Sequence, residues 1–176
     1  MRIGFLAFGL ATSFLIGASA TAAEPPRRIG PDTSPIATSV SVPPGGRLVY
    51  VSGTVPDAIN PRLEVCVMDG VSPAQAGCPH PVERYGDTEA QTRSVLRKVE
   101  AALKDQGFGL ADVVMMRIFL VAPPGQPRMD FAGMMKAYRE FFGTAAQPNK
   151  PARSTMQVAG LVDPGWLVEI EATAAK

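Results

Sequence analysis

Histidine occurs once, cysteine twice and tryptophan once in 176 residues. With a single histidine, His80, no histidine-pair metal site is possible, and general-base chemistry has only one imidazole to draw on. His80 sits in "GCPHP", a Pro-flanked loop, and reads as a surface residue. Cys66 and Cys78 with that histidine match no zinc spacing, so no metal site is expected. Neither charge is in excess, since 17 Lys and Arg face 16 Asp and Glu. A chain without basic runs has no electrostatic footprint for nucleic acid or an anionic membrane surface.

Long apolar runs are also missing, with one exception at the start. "MRIGFLAFGLATSFLIGASATAAE" has a cation at Arg2, an apolar run from Ile3 to Ile16, and small residues at Ala18, Ala20, Ala22 and Ala23. That is the layout of a signal peptide, and the run is short for a spanning helix. Residues 1–23 are expected to be removed and the protein to be periplasmic or secreted, with no membrane association afterwards. Arg2 is the sole charge in that segment, so sixteen cations would remain against sixteen acids, a net charge of zero. Export also bears on the cysteines. In an oxidising compartment a disulfide between Cys66 and Cys78 is the expected reading, with free thiols as the alternative.

The rest is enough for one domain with a real core. Residues 24–34 read as a flexible arm, and 35–176 as the domain, with an inserted loop over 57–85. A strand is expected around Ala37–Val42, then a turn at "PPGG" (Pro43–Gly46) and a hairpin partner at "RLVYVSG" (Arg47–Gly53). The stretch Thr54–Tyr85 is Pro-rich and irregular. "GDTEAQTRSVLRKVEAALKDQG" is the clearest helix. Asp87 or Thr88 caps it, Thr88 with Gln91 makes a capping-box pair, and Gly107 stops it. Thr92, Leu96, Val99 and Leu103 form its buried stripe, and Glu89, Arg93, Arg97, Glu100 and Lys104 its wet face. Val113–Val121 reads as a central strand. "MDFAGMMKAYREFFG" is a second helix, capped by Asp130, whose stripe Phe131, Met134, Met135, Tyr138, Phe141 and Phe142 reads mostly as core. "PARSTMQVAGL" and "LVEIEATA" are closing strands joined by "DPG" (Asp163–Gly165).

Two helices cover only one face of such a sheet. Met156, Val158, Leu167 and Val168 then need cover elsewhere, so self-association through the sheet is expected. Arg153 and the pair Glu169 and Glu171, which alternation puts on one face, are polar exceptions in these last strands.

"YVSGTVP", "LADVVMMRIFL", "MDFAGMMKAYREFFG" and above all "PARSTMQVAGL…LVEIEATA" resemble the Rid family, also called YjgF, over roughly Pro35 to Ala174 except for the loop that carries Cys66 and Cys78. The resemblance implies an α+β fold like bacterial chorismate mutase, a mixed sheet with two helices on one face. It implies a homotrimer with ligand clefts between subunits. RidA-like members hydrolyse reactive imines and enamines of amino acids to keto acids and ammonia without a cofactor. The activity implied is therefore that of a 2-iminobutanoate/2-iminopropanoate deaminase-like hydrolase. By the same resemblance Arg153 grips the substrate carboxylate, Glu169 handles the attacking water, and Ser52 and Thr155 line the cleft. An arginine fork donates two parallel hydrogen bonds to a carboxylate, and a glutamate can accept a water proton.

This chain departs from the RidA pattern at Ile36, where a tyrosine is common, at Met135, where an asparagine is, and at Thr155, where many have cysteine. Two other readings stand beside the enzyme. One is a module that binds a small carboxylate-bearing imine or keto acid without turnover, and the other is a trimeric interaction protein.

Overall fold

The computed structural model describes residues 24–63 and 81–176. The signal-peptide segment, Cys66, Cys78 and His80 lie outside the described residues. Among the described residues six strands and three α-helices follow in chain order: β1 (Arg27–Ile29), β2 (Ser39–Ser41), β3 (Leu48–Thr54), α1 (Pro81–Tyr85), α2 (Thr88–Asp105), β4 (Val113–Leu120), α3 (Phe131–Phe141), β5 (Ala152–Gln157) and β6 (Val168–Ala175).

The main sheet has the order β3-β6-β4-β5. β6 runs antiparallel to both β3 and β4, whereas β4 and β5 are parallel, with α3 as the crossover that a parallel pair requires. β5 and β6 are consecutive in sequence yet β4 lies between them, so the "DPG" turn joins strands that are not neighbours. The 37–42 strand is real but shorter, and it forms no hairpin with β3. It pairs instead with β1, so residues 27–29, expected in a free arm, belong to a two-stranded ribbon. The Arg28 guanidinium fastens that ribbon, donating to the carbonyls of Ala111 at 2.8 Å and Val113 at 3.2 Å.

β4 alternates along its length. Met116, Ile118 and Leu120 are fully buried, while Met115, Arg117 and Phe119 point the other way. α2 and α3 cover the first face. The expected stripe of α2 is buried in full, and Met134, Met135, Tyr138 and Phe142 of α3 join it. Leu167 and Val168 lie in this core rather than on the open face. They belong to the loop end and first position of β6, which face the helices. The face opposite the helices carries Leu48, Tyr50, Met115, Phe119 and Met156, of which Tyr50 is 74% exposed.

Asp87 caps α2, its carboxylate accepting from Ala90 N at 2.8 Å, and Gly107 ends the helix with φ 74°. The expected capping-box pair is absent. Thr88 is buried, and the Gln91 side chain is directed into the core. There its amide donates to the carbonyls of Gly86 and Gly165, both at 3.0 Å, and its oxygen accepts from Leu167 N at 2.7 Å. One buried side chain thus satisfies three backbone groups, tying the start of α2 to the turn that leads into β6. The end of the stretch expected to be irregular is helical, as α1, whose Tyr85 hydroxyl donates to Asp163 at 2.7 Å.

Truncating Gln91 leaves those three backbone groups without partners, at about 1–3 kcal/mol for each buried unsatisfied group before relaxation. Gln91→Ala is expected to lower unfolding free energy by roughly 3 kcal/mol, within that range, as read by urea denaturation. A loss of less than about 0.5 kcal/mol, the scale of an ordinary surface change, would contradict this account.

Candidate functional site

The site begins at the free edge of β5. Arg153 pairs across the ladder with Met116 and Thr155 with Ile118, so both side chains turn to the helix side of the sheet. α3 comes down beside them. The Arg153 guanidinium carbon sits 4.3 Å from the centroid of the Tyr138 ring and 6.0 Å from that of Phe131. Stacking on an aromatic face is a habit of arginine, and it holds the fork in one orientation. Burial lowers the pKa of Arg153 below its ordinary value, with Tyr138 opposing the shift. It also pushes the Tyr138 hydroxyl up to about 12. An arginine remains charged under such a shift.

Arg153 Nε and Nη1 are buried and have no hydrogen-bond partner among the described residues, and the same holds for Thr155 Oγ1. Buried donors without acceptors cost stability and are rare outside sites that await a ligand or water. The segment Ser34–Thr38 runs past the edge of β5, anchored where Ala37 N donates to the Pro151 carbonyl at 3.0 Å. Between them lies a cleft of about 340 Å³ whose lining includes Ile36, Thr38, Ala152 and Arg153. Arg153 lines this cleft, although its unpaired Nε and Nη1 are themselves shielded from solvent.

Glu169 is elsewhere. It pairs with Phe119 on the ladder, and Glu171 with Arg117, so both acids face the open side of the sheet, as alternation requires. They differ in environment. Glu171 accepts from Arg117 Nη1 at 3.2 Å, whereas no cation lies within salt-bridge distance of Glu169 among the described residues. The β3–β6 register shifts between Val51 and Thr54, which makes Ser52 and Gly53 a bulge beside Glu169. A Cβ on Gly53 would stand 1.9 Å from Glu169 Oε1. The missing side chain of Gly53 is therefore what lets the carboxylate lie against the backbone of β3.

The expected residues thus fall into two groups. Arg153 and Thr155 share the helix side with Ile36, Tyr138 and Phe131. Glu169 and Ser52 share the open side with Gly53. One chain does not bring Arg153 and Glu169 together. Met135, expected at the pocket, is in the core and 5% exposed. Tyr138 is core, as its stripe implies, but its place under Arg153 and the role of Gly53 beside Glu169 are not evident from the sequence. A tyrosine among Met and Phe in an apolar stripe was the available sign of the first. The Arg117–Glu171 pair follows from counting register and was also missed.

The sheet order, the two helices on one side and the β4-α3-β5 crossover define a YjgF-type α+β fold. The Rid-family protein YyfB of Yersinia pestis aligns with a TM-score of 0.58 at 24% identity, over 87% of this chain and 100% of its own. Residues 34–176 match the family model described as Endoribonuclease L-PSP. A RutC family protein of Pyrococcus horikoshii is 30% identical over 151 residues, which is 86% of this chain and 91% of that protein. E. coli TdcF, solved with bound serine, aligns at 27% identity with a TM-score of 0.50, over 85% of this chain and 98% of its own. The chain belongs to the Endoribonuclease L-PSP family, the YjgF/Rid/RutC group.

Gly53→Ala should displace the Glu169 carboxylate and leave the fold intact, because the clash is with the far end of a flexible side chain. Stability should change by less than about 1 kcal/mol in denaturation, while a crystal structure of the variant shows Glu169 rotated away from β3. An unmoved Glu169 in that structure would contradict the close approach.

Proposed function

We propose that the protein is an imine and enamine deaminase acting outside the cytoplasm on small carboxylate-bearing substrates. The observation that carries this reading is Arg153. It is a half-buried guanidinium, held on Tyr138, with two donors lacking an acceptor among the described residues. In this proposal the substrate carboxylate supplies the acceptors. A water held by Glu169 attacks the imine carbon. The C–O bond forms as the C=N π electrons move to nitrogen, and Glu169 takes the water proton. Proton return to nitrogen makes it a leaving group; the hydroxyl oxygen then forms the C=O bond as the C–N bond breaks, its proton passes to Glu169, and ammonia leaves with the keto acid remaining. An iminium carbon is already electrophilic, so positioning supplies most of the acceleration. The bound serine of TdcF, a small amino-acid carboxylate, is consistent with this substrate class.

Arg153 and Glu169 lie on opposite faces of the sheet, so the proposed site takes its arginine from one copy and its glutamate from the next. A homotrimer closed through the apolar open face provides that junction, since a head-to-tail contact presents different faces of the two copies to each other. The apolar face with Tyr50 and Phe119 supports this assembly. Residues 1–23 support the location, and a local source of imines such as an amino-acid oxidising enzyme fits it. Ribonuclease activity, which the family description would suggest, has little support in a chain with one histidine and no excess of cations.

A second reading keeps the carboxylate site and drops turnover. It is favoured by the lining of the Arg153 cleft, which contains no acid or base other than the arginine itself.

Keto-acid release from imines generated by an amino-acid oxidase separates the two. Under the enzyme reading Arg153→Ala lowers kcat/KM by roughly a hundredfold, as expected for losing a charge-assisted pair. Glu169→Gln lowers kcat by about 10²–10⁴, the range for a general base. Arg153-dependent binding with no acceleration by the native protein would leave the binding-module reading.

A further inference from the structure

We infer that Tyr138 is a positioning residue for the carboxylate anchor: its buried ring fixes the Arg153 guanidinium in the orientation that a carboxylate meets. The inference rests on the proposed reading of Arg153 and adds a residue that acts through it.

Three observations lead to it. First, the guanidinium has little else to orient it. Its Nε and Nη1 find no hydrogen-bond partner among the described residues. No acid contributes to its pKa shift, which burial drives downward and Tyr138 opposes. An arginine without polar contacts samples many rotamers, and a ligand that must freeze them binds more weakly.

Second, of the two rings near the guanidinium, Tyr138 is the one able to hold it. The guanidinium carbon lies 4.3 Å from the Tyr138 centroid, and Tyr138 is fully buried. Phe131 lies at 6.0 Å and is 45% exposed. A cation–π contact fades near about 6 Å and is stronger where water is excluded, so Tyr138 outweighs Phe131.

Third, the Tyr138 ring is itself held. It stacks on Phe142, with centroids 5.0 Å apart and planes 20° from parallel. Its hydroxyl donates to the Pro35 carbonyl at 3.4 Å, a long bond that adds little. Tyr138 belongs to α3 and Phe142 directly follows it, so the platform under Arg153 is part of the packed core. Arg153 lines the cleft of about 340 Å³, and Tyr138 does not. A fully buried ring outside that lining can influence a ligand there only through Arg153.

The test reads pyruvate binding, so it does not depend on turnover. Pyruvate is titrated calorimetrically into the native assembly and into Tyr138→Leu, Tyr138→Met and Tyr138→Phe, with Arg153→Ala as control. Tyr138→Met keeps the test valid if Tyr138→Leu fails to fold, since a flexible thioether fills irregular core gaps. Losing the ring should weaken pyruvate binding about threefold to tenfold, the scale of ordering one long side chain on binding. Tyr138→Phe keeps the ring face and should stay within about twofold of native. The Arg153 Nε–H resonance in ¹⁵N spectra, assigned by its loss in Arg153→Ala, reads orientation without ligand. It should move toward the position of flexible arginines in the Leu and Met variants and keep its place in Tyr138→Phe. Variants that lose stability yet keep native pyruvate affinity and an unmoved Arg153 resonance would overturn the inference, as would a Tyr138→Phe protein that binds as weakly as Tyr138→Leu. Pyruvate binding that requires Arg153 and ignores Tyr138 sinks this inference and leaves the anchor reading standing. No pyruvate binding by the native protein sinks both.

Discussion

Successive side chains of a strand leave on opposite faces, and in this protein that alternation decides where every functional group can act. β4 sets the two sides. Met116, Ile118 and Leu120 are sealed under the helices, and Met115, Arg117 and Phe119 are left on the other face. β5 and β6 flank it and inherit its sides through their ladders. Arg153 therefore must meet α3, and Glu169 must not. A shift of register by one residue in either strand would exchange core for surface along its whole length, so packing fixes the positions of the site residues as firmly as it fixes the core.

The two sides then carry different physics. On the helix side, desolvation works against the Arg153 charge, the Tyr138 hydroxyl opposes that shift, and the Tyr138 ring lies under the guanidinium. The guanidinium keeps donors in reserve, and such unsatisfied groups are a stability cost that ligand-binding sites commonly bear. On the open side, Glu171 is neutralised by Arg117, while Glu169 rests against a bulge that exists because position 53 has no side chain. Two glutamates that the sequence presents as equivalents are thereby separated into one paired with Arg117 and one with no cation partner among the described residues.

Much of this was legible before any coordinates. The α2 stripe, its stop at Gly107, the Asp130 cap of α3 and the shared face of Glu169 and Glu171 all follow from local periodicity and caps, which depend on a few neighbouring residues. The partner of each strand was not legible. The 39–41 strand pairs backward with β1 across a loop, and β6 inserts between β3 and β4; such choices are settled by tertiary packing. Gln91 shows the same limit at one residue. Its spacing from Thr88 fits a local cap, yet the turn at Gly165 and Leu167 draws it into the core. The opposite placement of Arg153 and Glu169 also required the register of three strands at once.

The central claim is that one copy supplies Arg153 and another Glu169 to each working site. Mixed assemblies test it directly. Arg153→Ala and Glu169→Gln subunits, each expected to retain at most about a hundredth of the native activity alone, are unfolded together, refolded at equal ratio and assayed for keto-acid release. If sites form between copies, about a quarter of the junctions in a randomly mixed ring join an intact Arg153 to an intact Glu169, and activity returns to about that fraction of the native level. A mixture as inactive as its two parents would contradict the account.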